Sequence, residues 1–198
     1  MKKILLSVQP KWCELIFRGK KTVEVRKTAP KLETPFEVLV YETKGKTKYW
    51  SQPLPIPYQE GRGKVIGSFV CDKIDKFDSE WSEYAYLCVP HDIPCAMPMS
   101  EEKAIGICKE KGCLTLEDII NYFGDEEWRA YFWHITEPKL FDKPKALSEF
   151  SVYGKCAEEC SEYDICMKYD SVESRFECPD FSRMLLKRAP QSWCYVDD

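Results

Sequence analysis

No apolar run in this sequence approaches the ~20 residues a membrane-spanning helix needs. The stretch after Met1-Lys2-Lys3 stops at Gln9-Pro10, short of the roughly seven-residue apolar core of a secretory leader. The expectation is a cytoplasmic protein with no membrane partner. Positive charge is also in deficit: 29 Lys and Arg against 33 Asp and Glu give a net charge of −4. That balance excludes the global basic field that drives non-specific duplex binding, so any nucleic-acid contact must be local. Histidine is scarce, with 2 residues in 198. Cysteine is plentiful, with 11 residues, and in a reducing compartment these do not read as a disulfide framework. The length and the aromatic content of 14% suffice for one real core with decorations.

The richest stretch runs from Gln9 to Lys27. Pro10 suits the first turn of a helix, Trp12, Leu15 and Ile16 fall on one helical face, and Gly19 follows as a C-cap would. After the turn the period changes to two. Val23 and Val25 then point one way and Thr22, Glu24 and Arg26 the other. Such an ionic face is either a solvated strand surface or a ligand site. As a site it offers an acceptor for amino groups (Glu24), planar donors for a carbonyl or phosphate (Arg26), and mobile ammonium groups (Lys20 and Lys21). Glu24 and Arg26 would also pair with each other and brace the strand.

Helix, Gly-x-Lys-Thr and Glu-x-Arg in that order, after one strand (Lys3-Ile4-Leu5-Leu6-Ser7-Val8) and before another (Phe36-Glu37-Val38-Leu39-Val40-Tyr41), resemble the ASCH domain of the PUA-like superfamily. The resemblance continues at Gly63-Lys64-Val65-Ile66-Gly67-Ser68-Phe69-Val70-Cys71, Tyr131-Phe132-Trp133-His134-Ile135 and Leu147-Ser148-Glu149-Phe150. The stretch Ala189-Pro190-Gln191-Ser192-Trp193-Cys194-Tyr195 is similar to endings of phage and prophage members. The resemblance implies an α+β fold: a PUA-like curved β-barrel with short flanking helices, holding RNA or a modified nucleotide in a cleft. On this basis residues 1–150 are the domain, and Lys20, Lys21, Thr22, Glu24, Arg26 and Ser68 are its candidate ligand contacts, with Trp50 added from the composition of its loop. Some ASCH proteins resemble small amidohydrolases acting on N4-acetylcytidine through a lysine, a threonine and a glutamate. Here the lysine falls at Lys21, the threonine position holds Glu24, and the glutamate position falls near Phe69, with Asp72 the nearest acid. With one group of three matched, the expectation is binding rather than turnover; if there is an enzyme, an amidohydrolase or a ribonuclease, Lys21 and Glu24 are the catalytic candidates, and no residue marks nuclease activity. Another alternative is a phage protein that binds a host factor.

The remainder of the chain is less periodic. Trp50-Ser51-Gln52-Pro53-Leu54-Pro55-Ile56-Pro57-Tyr58 reads as an extended loop whose aromatics either stack on a base or pack on the barrel. A strand is expected over 64–74 and a largely helical insertion over 78–124, where Thr115-Leu116-Glu117-Asp118 matches a capping box and Gly124 stops the helix. In the next strand Tyr131, Trp133 and Ile135 share one face, and Phe132 and His134 the other. His134 reads as a hydrogen-bonded structural residue, because a general base needs an oriented partner that sequence does not supply. Residues 151–198 form a Cys-rich C-terminal appendage. Cys156, Cys160, Cys166 and Cys178 are spaced C-x3-C-x5-C-x11-C in a charged segment with little to bury. Four thiolates suit a structural zinc, or an iron–sulfur cluster, and Cys194 could replace one of them.

Overall fold

The computed structural model describes residues 3–44, 62–80, 99–124, 127–152 and 185–197. Within them the chain runs β1 (Lys3–Val8), α1 (Pro10–Phe17), β2 (Val23–Arg26), β3 (Phe36–Glu42), β4 (Lys64–Asp78), α2 (Glu101–Glu110), α3 (Leu116–Phe123), β5 (Arg129–Lys145), β6 (Ser151–Val152) and β7 (Trp193–Asp197). The fold is mixed α+β, with a seven-stranded sheet of order β2-β5-β4-β3-β1-β7-β6. A closed barrel was the expectation; among the described residues the sheet stays open, ending at β2 and β6. Those two strands have only four and two residues. Edges so short offer little ladder for closure, and short edges also limit unwanted pairing.

The chain forms two compact units. The first comprises Met1–Lys11, Glu37–Ser68 and Leu140–Asp198. Its β1 pairs in parallel with β3, Ile4 opposite Val38, and antiparallel with β7, Leu5 opposite Cys194. Ile4, Leu5 and Leu6 are all fully buried, which explains why β1 reads as a continuous apolar run rather than an alternation. One cluster joins Leu5, Leu39, Tyr41, Val65, Phe150, Leu186 and Val196. Residues from beyond the Cys-rich segment thus complete this core. The Ser7 hydroxyl donates to the Pro190 carbonyl at 2.7 Å, and the Ser7 N–H to the Ser192 carbonyl at 2.9 Å.

The second unit comprises Trp12–Phe36 and Phe69–Lys139. Helix α1 closes as its sequence suggests. Gly19 takes φ +69, its N–H reaches the Ile16 carbonyl, and the Lys20 N–H reaches back to Leu15, the paired bonds of a Schellman cap. Helix α3 starts with the expected capping box: the Thr115 hydroxyl accepts from the Asp118 N–H at 3.0 Å, and the Asp118 carboxylate accepts from the Thr115 N–H at 2.9 Å. Val23 and Val25 enter a core with Phe77, Ala104, Cys108, Ile119, Trp128, Ala130 and Phe132. The helical segment 99–124 therefore supplies apolar surface to the inner face of β2.

Two strands outrun the sequence reading. β4 continues past Ile74 to Asp78, and β5 continues past Ile135 to Lys145. In β5 the run Thr136-Glu137-Pro138 breaks the apolar alternation. The chain absorbs it by placing Glu137 at φ +49, a local bend after which the strand resumes. The Trp50 loop, residues 81–98 of the expected insertion, and Cys156, Cys160, Cys166 and Cys178 lie outside the described residues.

Deleting residues 185–198 removes β7 from β1 and takes Leu186 and Val196 out of the first unit's core. The shortened chain is expected to lose its cooperative thermal transition and to aggregate on size exclusion. Unchanged melting and elution would refute the structural role given to β7.

Candidate functional site

Three of the residues singled out in the sequence meet in the second unit. The Glu24 carboxylate lies between two cations. Its Oε1 is 2.8 Å from Arg26 Nε, and its Oε2 is 3.4 Å from Lys21 Nζ. Lys21 is 2% exposed and Glu24 5%, and 11% of the Arg26 side chain is exposed. Charges this deep survive only when paired, and each of these has its counter-ion.

Local backbone geometry creates the arrangement. The Gly19 cap reverses the chain so that the Lys21 N–H also reaches the Leu15 carbonyl, at 3.0 Å, and β2 starts two residues later. Cross-strand pairing sets Glu24 opposite Trp133 and Arg26 opposite Tyr131 on β5. Directly opposed residues share a face, so Glu24, Arg26, Tyr131 and Trp133 stand together on the side away from the Val23 and Val25 core. Trp133 is fully buried and meets Phe36 edge-on, the ring centroids 6.0 Å apart.

The turn between α2 and α3 holds Lys21 from the other direction, and sequence reasoning had not drawn it into the site. Lys21 Nζ donates to the Gly112 carbonyl at 2.6 Å, and sits 5.1 Å from the centre of the Trp12 ring. The N–H groups of Thr22 and Val23 both reach the Lys111 carbonyl, at 2.9 and 3.1 Å. The turn can approach because residue 112 has no side chain. A Cβ there would stand 2.6 Å from the Cys108 carbonyl oxygen and 3.1 Å from Val25 Cγ2. The only signal in the sequence was a glycine closely following a helical pattern, in Lys111-Gly112-Cys113, which marks a turn without saying what it touches.

The other candidates are placed differently. Lys20 and Thr22 are exposed; the Thr22 carbonyl accepts from the Ile135 N–H at 2.9 Å and so ties the strand start to β5. Ser68 is buried on β4 in the first unit, and Cys194 is half-buried on β7. Trp50 and the four cysteines are outside the described residues. Among the described residues, no group of three or more His, Cys, Asp or Glu could hold a metal ion.

His134 has the oriented partner that sequence could not supply: its Nε2 lies 2.8 Å from Asp75 Oδ2, with Lys73 Nζ 2.7 Å from the other oxygen. Burial raises the Asp75 pKa, but hydrogen bonds and charge from Lys73 and His134 outweigh it, so the carboxyl ends below its ordinary value. The dyad stands on the opposite face of β5 from Glu24, the strand's alternation having separated them. Burial pushes the Cys71 thiol up to about 12 and, against the pull of Lys21, that of Cys108 to about 11. Neither thiol is a ready nucleophile at neutral pH.

A family model, the ASCH domain, matches residues 6–177. Among solved structures, the crystal structure of ASCH from Zymomonas mobilis aligns with a TM-score of 0.50 at 15% identity, covering 99% of this chain and 88% of that one. Two single-residue mutants of that Zymomonas mobilis protein align at the same TM-score, 14% and 16% identical, covering 100% and 99% of this chain and 92% and 89% of theirs. At such identities the likeness shows the fold alone. No curated protein matches the sequence.

Gly112→Ala tests how the site is held. The added Cβ meets backbone on one side and Val25 on the other, so the turn must move away from Lys21. A loss of about 1–3 kcal/mol is expected in urea unfolding, the usual scale for overpacking a tight contact. Unchanged stability would show that the turn is not fixed against β2.

Proposed function

The chain belongs to the ASCH domain family, and from that premise we propose that it binds RNA or a modified nucleotide through the buried ionic face of β2, as a PUA-like module. One observation carries the reading: a buried carboxylate, a buried ammonium and a largely buried guanidinium meet at β2. Two cations held beside one another attract an anionic ligand. Lys21, with the Gly112 carbonyl on one side and Glu24 on the other, positions the carboxylate. Glu24 in turn engages Arg26 at Nε, and the fork geometry of a guanidinium suits a phosphate or carbonyl. Lys20 and Thr22, both exposed at the same turn, add an ammonium and a hydroxyl for the ligand backbone. Trp50, from its loop's composition, and Ser68, from its strand motif, are retained as further candidate contacts on the sequence alone.

Recognition rather than turnover is the preferred reading. In the hydrolase alternative Lys21 and Glu24 would be the catalytic pair. Lysine-assisted hydrolysis requires a nucleophile beside its base, and the hydroxyl nearest in sequence, Thr22, is solvent-exposed while Lys21 is buried. A host protein is the remaining alternative partner. Cytoplasmic location and a phage or prophage origin, the latter from the Ala189 to Tyr195 resemblance, belong to the same proposal.

Arg26→Ala is expected to weaken binding of a short single-stranded RNA by about 1–3 kcal/mol, the scale for losing a charge-assisted or bidentate contact. Glu24 keeps Lys21 as counter-ion, so thermal unfolding should change little. Arg26→Lys keeps the charge but loses the fork and should recover only part of the affinity. Wild-type affinity in both variants, measured by fluorescence anisotropy, would remove Arg26 from the interface. Chromatographic release of acetate from N4-acetylcytidine would instead favour the hydrolase.

The same proposal includes a structural zinc on Cys156, Cys160, Cys166 and Cys178, with an iron–sulfur cluster as the alternative; spacing and a charged, apolar-poor composition support it. About one zinc per chain is expected by elemental analysis of protein purified without added metal, with proteolysis after Phe150 accelerated by a chelator. Iron and a brown colour would identify the cluster instead. Neither metal, with equal protease resistance before and after chelation, would reject the site.

A further inference from the structure

Beside the ionic face, the second unit carries an open groove of about 560 Å³. Its floor comes from neighbouring strands, Ile74 and Lys76 of β4 and Tyr131 of β5; its wall is the loop between β2 and β3, with Pro30, Leu32 and Glu33. The volume is within the range of small-ligand sites. The lining is ordered by chemistry. An aromatic ring lies among apolar side chains, an exposed carboxylate stands on the loop, and an exposed ammonium on the strand.

Tyr131 links this groove to the ionic cluster. It is the direct cross-strand partner of Arg26, so the ring and the guanidinium occupy one sheet face on adjacent strands, with backbones about 5 Å apart. We propose that the groove receives one unstacked nucleobase of a single-stranded RNA, stacked on Tyr131, while its phosphate lies at Lys76 and the adjoining backbone passes Arg26. This rests on the nucleotide-binding reading above and deepens it by assigning where the base goes.

Each side chain then has a separate task. Tyr131 offers a π-face that any base can use, with Ile74, Pro30 and Leu32 excluding water around it. Glu33 accepts hydrogen bonds but donates none, which favours a base with an exocyclic amino group over uracil. Lys76 is half-exposed and shares Asp78, 3.2 Å away, with Arg129, whose Nε is 2.6 Å from the same oxygen. Asp78 therefore keeps a counter-ion when Lys76 turns to a phosphate. The groove's open side suits a base extruded from a continuing strand rather than a small molecule enclosed on all sides.

The experiment is anisotropy titration of fluorescein-labelled hexacytidylate against the full chain and its Tyr131→Ala, Tyr131→Phe, Lys76→Gln and Arg26→Ala variants, with hexauridylate and 5′-CMP as further probes. Tyr131→Ala should bind roughly five- to a hundred-fold more weakly, the range for losing one stacking platform, and Tyr131→Phe should bind like wild type because the ring persists. Lys76→Gln should lower the slope of log K against log salt by roughly 0.7, one single-strand phosphate contact. Hexacytidylate should bind more tightly than hexauridylate, and 5′-CMP should compete for Tyr131 only weakly if the strand is the ligand; competition as strong as the hexamer's would assign the groove to free nucleotides and overturn the strand proposal. Weakening by Arg26→Ala with wild-type binding by Tyr131→Ala and Lys76→Gln would overturn the groove and leave the ionic face standing. The converse pattern would keep the groove and remove Arg26. No binding of either hexamer by wild type would overturn both. Should Tyr131→Ala fail to fold in thermal unfolding, the Lys76→Gln salt slope decides, an unchanged slope counting against the proposal.

Discussion

A buried carboxylate with a cation on either side is the constraint from which the second unit's architecture follows. Glu24 lies at 5% exposure with Lys21 as its buried counter-ion and Arg26 on its other side. Taking such charges out of water costs several kcal/mol each, and the mutual attraction offsets this only with good geometry and further hydrogen bonds. The geometry has three sources: the glycine cap that turns α1 into β2, the antiparallel register with β5, and the α2–α3 turn that offers the Gly112 carbonyl. Each would be an unremarkable piece of backbone without the charge it serves.

Much of this was legible. The α1 helix, its glycine cap, the alternation in β2 and the capping box of α3 all depend on neighbours within a few residues, and their chemistry is local. The segregation of Val23 and Val25 from Glu24 and Arg26 followed from the period of two and is what the fold displays. The faces of β5 were legible for the same reason.

What stayed hidden depends on distance along the chain. The Gly112 contact joins Lys21 to a residue 91 positions away, and a glycine after a helix says nothing about what will approach it. The groove needs the β2–β3 loop, β4 and β5 together, and only Tyr131 of its lining stands in a stretch the sequence singled out. The open sheet was missed because strand length, not strand presence, decides closure, and the two end strands are too short to signal it. The Glu137 bend was missed because a proline next to a polar pair usually stops a strand, and only the local conformation shows that this one continues.

The division of the chain has a consequence for synthesis. The second unit uses two segments, the later ending at Lys139, whereas the first needs β1, then β3, and finally β7 after everything else described here. Chains emerge from the ribosome at about 5–20 residues per second, and units tend to fold as they become complete. The ionic cluster therefore has all its parts several seconds before β1 meets its antiparallel partner. During that interval β1, one of the most apolar strands in the molecule, has one edge waiting. The protein assembles its binding chemistry first and seals its oldest strand last.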